Sequence, residues 1–347
     1  MEEAVHREDL EMAGGMVQTG RMKKFLLAAA LLASSAAPLP SQLPKVNDGK
    51  AARARPSSRI INADQLLEDV RILSADAMEG RGAGTAGGAM ARAYIIRRFA
   101  DAGLKPLWPS YEQPFDLPPG EDGKAREGAN VVGLVRGRNH PERFVVVTAH
   151  YDHLGIRNGQ IYNGADDNAS GVAAILQLAA HFSRDRPDNS LIFAALDAEE
   201  IGLVGASAFV KQLRAEGRDV ALNVNLDMVS HNDRGELYAA GAYRTPALRP
   251  YLEQVAARAP VHLLLGHDRP DEGHDDWTNQ SDQYAFHKAG VPWVYFGVED
   301  HKDYHKPTDD FETITPVFFV HAAETILDAV EVLDANLPSA TAKKAGA

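Results

Sequence analysis

No cysteine occurs anywhere in the 347 residues. Disulfides, thiolate metal sites and a cysteine nucleophile are therefore excluded, and any metal has to be held by the harder ligands His, Asp and Glu. Positive charge is in deficit as well: 36 Lys and Arg stand against 48 Asp and Glu, for a formal net charge of -12. Nucleic-acid binding needs Lys and Arg for phosphate contacts, so that balance excludes it. Long apolar runs are also scarce. The stretch over 25–33 is too short to cross a bilayer as a helix, so no integral span is expected in the mature protein. A phosphate cradle is missing too: "EGRGAGTAGG" lacks GxxxxGK[ST] and follows a helical pattern rather than a strand. Ser170 lies in "ASG", outside any nucleophile elbow, and reads as a helix-start residue. What remains is 45% hydrophobic and 24% charged, an ordinary globular balance with enough apolar residues for a sizeable core.

"MKKFLLAAALLASSAAPLP" begins at Met22 with two lysines, a short apolar run and then small residues. That is the layout of a secretory signal peptide over 22–37, with cleavage near Ala36 or Ala37 and a periplasmic or secreted product. The polar segment 1–21 does not belong to such a leader and reads as an upstream extension from a mis-assigned start. With no cysteine after the apolar run, a lipoprotein anchor is excluded. Residues 38–58, rich in Pro, Ala, Ser and basic residues, read as a linker, 59–337 as one domain and 338–347 as a short tail.

Within 59–337, "NADQLLEDVRILSA" predicts a helix capped by Asn62, and "AMARAYIIRRFADAGL" a second one stopped by Gly103. From about residue 129 apolar strands alternate with helices. "ANVVGLVRG" and "RFVVVTAH" are strands joined by the turn "RNHPE"; "SLIFAALD", "VALNVNLDMV", "VHLLL" and "VPWVYFG" are further strands, with amphipathic helices between them. A helix over "PVFFVHAAETILDAVEVLDANL" closes the pattern. The fold class expected is α/β, with a mixed, mostly parallel central sheet covered by helices on both faces.

The chemistry-bearing residues sit where these strands end. His150 and Asp152 follow "FVVVTA", Glu199 and Glu200 follow "LIFAALDA", Asp227 closes "LNVNL", and Tyr304 and His305 lie in the loop after "VPWVYFGVE". Asp166 and Asp167 precede a helix in "YNGADDNASG". Ligands of an open α/β sheet bind at the carboxyl ends of its strands, so these groups are expected to converge on one crevice. Carboxylates crowded together repel and take up protons unless cations supply the missing charge. Imidazoles and carboxylates in this number suit two divalent metals, with one carboxylate shared between them.

Five segments in order, "AHYDH", "NGADDNASG", "LDAEEIGLVGA", "NLDMV" and "YHKPTDD", resemble the co-catalytic di-zinc aminopeptidases of metallopeptidase family twenty-eight. The resemblance runs from roughly residue 65 to 330. It implies two Zn2+ per chain and a peptide substrate cut at its N-terminus. By the same resemblance His150 and Asp227 hold one metal, Glu200 and His305 the other, and Asp167 bridges them, with a cis peptide at Asp167–Asn168. Asp152 orients His150, Glu199 is the general base, and Tyr304 stabilises the oxyanion. A carboxypeptidase-type or other amidohydrolase, a glutaminyl-cyclase-like acyltransferase and a non-catalytic binding domain on the same scaffold are the alternatives.

His153, Asp166, His267, His274 and the "DRPDEGHDD" run read as loop charges or residues of the substrate rim, and His301 as a surface residue. Two positions depart from the family pattern: Ser230 stands where glycine is common, and Gln283 where many relatives have histidine.

Overall fold

The computed structural model describes residues 56–119, 123 and 125–337. The upstream extension, the signal peptide, all but the last three linker residues and the tail lie outside the described residues.

Helix α1 (Ala63–Leu73) starts where the sequence predicts: the Asn62 side chain accepts from Gln65 N at 3.1 Å, satisfying one of the free amides of the first turn. Helix α2 (Ala86–Asp101) is capped by Thr85, and the chain turns away at Gly103 with φ +85°. The strands follow as β1 (Lys105–Pro106), β2 (Glu112–Leu117), β3 (Arg126–Val135) and β4 (His140–His150), then a two-stranded hairpin of β5 (Gly155–Arg157) and β6 (Gln160–Tyr162). After α3 (Gly171–Arg184) come β7 (Asn189–Leu196), α4 (Val204–Ala215), β8 (Asp219–Leu226), β9 (Glu236–Ala240), α5 (Arg249–Ala256), β10 (His262–Leu265), α6 (Gln283–Lys288), β11 (Trp293–Gly297) and α7 (Pro316–Ala335).

The main sheet has nine strands in the order β1-β3-β7-β4-β8-β11-β9-β10, with β2 also paired to β3. Its centre, β7-β4-β8-β11, is parallel, while β3 joins β7 and β9 joins β11 antiparallel. The expected turn "RNHPE" runs into β4, which starts at His140, so residues 136–139 connect β3 to β4; the two are not neighbours, because β7 enters between them.

The central strands are largely apolar because both faces are covered. All eight residues of β7 are buried. Along β4, Val145, Val147 and Ala149 pack with α1, α3 and α7, whereas Phe144 and Val146 pack with α4 and α6. Since β4, β7, β8 and β11 run the same way, His150, Leu196, Leu226 and Gly297 all reach the same edge of the sheet. No helix among the described residues is long and apolar enough to cross a membrane.

Candidate metal centre

That shared edge gathers the residues singled out in the sequence. His150 is the last residue of β4, and its Nε2 lies 3.2 Å from Asp227 Oδ1, just past β8, and 3.4 Å from Asp167 Oδ1. The other oxygen of Asp167 faces the opposite way: its Oδ2 lies 3.0 Å from His305 Nε2, which is 3.4 Å from Glu200 Oε2. Zinc bonds of about 2.0–2.2 Å place tetrahedral donor atoms roughly 3.3–3.6 Å apart, so both sets have about the spacing of metal ligands. His150, Asp167 and Asp227 could therefore hold one cation, and Asp167, Glu200 and His305 a second, each with N and O donors only.

The turn over Ala165–Ser170 presents Asp167. Its entry is Gly164, with φ +57°, where a β-carbon would come within 2.1 Å of Asp167 O and 2.6 Å of the His153 ring. Only glycine fits there. Asp309 braces the turn from the "TDD" segment: its carboxylate accepts from Asp166 N and Asp167 N, each at 3.0 Å. Burial, then Asp166, push Asp309 up to about 7. The Asp167–Asn168 peptide is cis, at the place expected. Left-handed backbone at Ala198 (φ +61°), Met228 (φ +57°) and His305 (φ +52°) marks the segments that carry Glu199, Asp227 and His305. Such residues cost on the order of 1–3 kcal/mol each and persist only where the surroundings over-determine them.

The protein's own charges leave these groups far from their usual titration ranges. Burial alone would lower His150, but Asp227, Glu199 and Asp167 hold it well above the usual imidazole range. Burial opposes the charge on His305 too, yet pairing with Asp167 and Glu200 pushes it up to about 10. Burial works against Glu200 as well, and His153 and His305 keep its carboxyl below the usual range. Glu199 behaves in the opposite way: burial first, then Asp282, Asp227 and Glu200, push it well above the usual carboxylate range, against the pull of His150. Both Asp282 oxygens are buried without a hydrogen-bond partner, and burial pushes that group up to about 7.

A cavity of about 220 Å³ opens onto the centre. Glu199 and Tyr304 line it beside His150, Asp167, Glu200, Asp227 and His305, and Met228, Trp277, Tyr295 and Val298 form an apolar wall. The Tyr304 ring stacks on His305, with centroids 4.0 Å apart.

Three readings made from the sequence are corrected here. His153 is not a rim residue: it is 2% exposed, with Nδ1 2.7 Å from Glu200 Oε1 and 3.7 Å from Asp167 Oδ2. Nor is Asp166 a loop charge, or His301 a surface residue. Asp166 is fully buried, His301 Nε2 lies 3.2 Å from its Oδ2, and the His301 ring stacks on His231 with centroids 3.9 Å apart. The Asp152 carboxylate stands 3.8 Å from His150 Nδ1, whose closer partner is the Asp152 carbonyl at 3.1 Å. Besides that ion pair with His150, the carboxylate accepts from Glu199 N at 3.0 Å and Glu200 N at 3.3 Å, fixing the segment that carries both glutamates. His267 stacks on Trp277, which lines the cavity, and His274 is exposed.

The two departures from the family pattern are accounted for by hydrogen bonds. Ser230 donates to Asp166 Oδ1 through its amide (2.7 Å) and its hydroxyl (2.8 Å), so a side chain at this position helps to hold the turn. Gln283 accepts from Asn225 Nδ2 at 3.0 Å and donates to Trp277 O at 2.7 Å, joining the end of β8 to the cavity wall.

Comparison with known proteins gives three concordant likenesses. The aminopeptidase YwaD of Bacillus subtilis (strain 168) is 30% identical over 217 residues, which is 58% of this chain but 44% of that protein, so the chain matches under half of that relative's length. A solved zinc aminopeptidase from Bacillus subtilis superposes with a TM-score of 0.64 at 20% identity, covering 80% of this chain and 95% of that one. A Porphyromonas gingivalis glutaminyl cyclase superposes with a TM-score of 0.62 at 18% identity, covering 79% of this chain and 99% of that one. At such identities the solved structures establish the α/β fold, and the family follows from the sequence itself. The model of peptidase family M28 matches residues 130–330, more than half of the chain and all of the strand ends described above, and the chain belongs to that family.

Proposed function

We propose that this protein is a zinc-dependent aminopeptidase that holds two Zn2+ per chain and removes N-terminal residues from peptides. One observation carries the reading: the two oxygens of Asp167 face two separate His–carboxylate sets, His150 with Asp227 and His305 with Glu200. Bound metals would supply positive charge that polarises a carbonyl and eases the deprotonation of a water. Glu199, whose side chain lines the cavity and makes no hydrogen bond to another described residue, takes the proton of the attacking water and returns it to the leaving amine. The Tyr304 hydroxyl donates to the oxyanion that develops on the scissile carbonyl. Asp152 keeps Glu199 and Glu200 in register through their amides. The leader-like segment 22–37 supports export to the periplasm or beyond.

The fold is shared with a glutaminyl cyclase, which keeps an acyltransferase as the second reading. The complete pair of ligand sets favours hydrolysis. Aminoacyl-p-nitroanilides, N-blocked peptides and peptides with N-terminal glutamine, assayed with chelator and with added zinc, separate the two. Zinc-dependent cleavage of free-amine substrates only is the expected result; cleavage of blocked peptides, or cyclisation of N-terminal glutamine to pyroglutamyl peptide with loss of ammonia and no hydrolysis, overturns it.

A further inference from the structure

Arg81 has none of the roles described so far. It ends the segment Asp76–Arg81, and its side chain is fully buried. Its backbone has φ +50°, after Glu79 at +50° and Gly80 at +64°. A β-carbon at Gly80 would come within 2.4 Å of Tyr162 O and 2.7 Å of Gly155 O, so the chain is pressed against the β5–β6 hairpin at this point. Three successive left-handed residues, two of them not glycine, are unfavourable. They deliver the guanidinium to the interior behind the metal centre.

There it donates to main-chain carbonyls: Nε to Tyr151 O at 2.8 Å, Nη1 to Leu73 O at 2.7 Å and Asn163 O at 2.5 Å, and Nη2 to Gly164 O at 2.8 Å. The Arg81 carbonyl in turn accepts from His153 N at 3.4 Å. Tyr151 stands between His150 and Asp152, and Gly164 leads into the turn that presents Asp167. One planar fork thus joins the end of β4 to the Asp167 turn. Among the described residues no carboxylate pairs with the guanidinium in direct contact. Burial lowers its pKa to about 10, so it stays cationic at neutral pH, and the negative charges acting on it are Asp167, Asp309, Asp152 and Glu200. A buried cation without a contact partner is costly, and a surplus of carboxylates a short distance away offsets that cost.

We propose that Arg81 is a positioning residue of the metal centre: it clamps the His150–His153 strand end to the Asn163–Gly164 turn, so that His150 and Asp167 meet in ligand geometry, and its charge balances the carboxylates before the metals arrive. The proposal rests on the two-metal reading above. Zn2+ and Co2+ binding to the full chain, by competition with a chromophoric chelator and by the visible Co2+ spectrum, tests it without turnover. A wild-type protein that takes up fewer than two metals overturns the two-metal reading itself. Given two, Arg81→Lys, which keeps the charge but not the fork, is expected to fold, to bind the metals at least tenfold more weakly and to shift the Co2+ absorption. Arg81→Gln, which loses both, is expected to bind more weakly still. Folded Arg81→Lys with wild-type affinity and spectrum overturns the clamp. So does an Arg81→Lys chain that fails to fold even in excess zinc, because that outcome would make the bond to Leu73 O at the end of α1, and not the joining of the ligand segments, the main role of Arg81.

Discussion

Within the cavity, Glu199 and Tyr304 are the groups whose roles can be separated from metal binding. Glu199→Gln keeps the side-chain volume and removes the base, so metal content should stay at the wild-type level while kcat falls by roughly 10²–10⁴; full activity in that variant would remove Glu199 from the mechanism. Tyr304→Phe should lower kcat by about 10²-fold with KM little changed, as expected for a donor used only in the transition state. Equal losses in binding and turnover would instead make Tyr304 a substrate contact. The imidazoles give a proton balance. Without metal, His305 titrates near 10 and His150 well above the usual range, so both carry protons at pH 7. A ligating imidazole is neutral, so loading both metals at pH 7 should release about two protons, and affinity should rise with pH until those groups titrate. Calorimetry in buffers of differing ionisation enthalpy measures this, and proton-neutral binding would place the metals elsewhere. The side chains of His150, Glu199, Glu200 and Asp227 were legible as residue types because they stand at or shortly after the ends of apolar strands. The burial of His153 was not, because beyond the end of β4 strand alternation no longer says which way a side chain points, and its contact with Glu200 is made only in the tertiary structure.

Secondary structure sets the ligands' places through its ends. The helix α1 cap is local: Asn62→Ala should cost about 1 kcal/mol and lower the melting temperature by on the order of 2 °C, with metal binding unchanged. Asp309 is the contrasting case. It lies in the final loop but accepts both amides of the Asp166–Asp167 turn. Asp309→Asn keeps one acceptor oxygen in place of two, so metal affinity should fall while far-UV circular dichroism is retained; unaltered affinity would reduce Asp309 to a local cap. The strand β9, "ELYAA", did not stand out in the sequence, since five residues rich in alanine carry little periodic signal. It exists because β11 offers it an antiparallel edge.

Across the whole molecule, the parallel run β7-β4-β8-β11 turns residues scattered from 150 to 305 into one cluster. If the proposed metals tie these segments together, a chelator should lower the melting temperature by several degrees and zinc should restore it, with the shift growing with zinc concentration as binding to the folded state alone requires. A melting temperature indifferent to zinc would mean that the folded chain does not bind it tightly.

Residue type and order alone determined the α/β alternation, the absence of thiolate chemistry and the set of His, Asp and Glu at strand ends, because apolar periodicity and ligand hardness are local properties. Only the tertiary structure decided which atoms meet. The placing of β7 between β3 and β4, the burial of His153 against Glu200, the pairing of Asp166 with His301 and the seating of Arg81 behind both ligand segments all join positions far apart in the chain or beyond the end of a strand. Such contacts are selected by the packing of whole elements, and no local pattern encodes them.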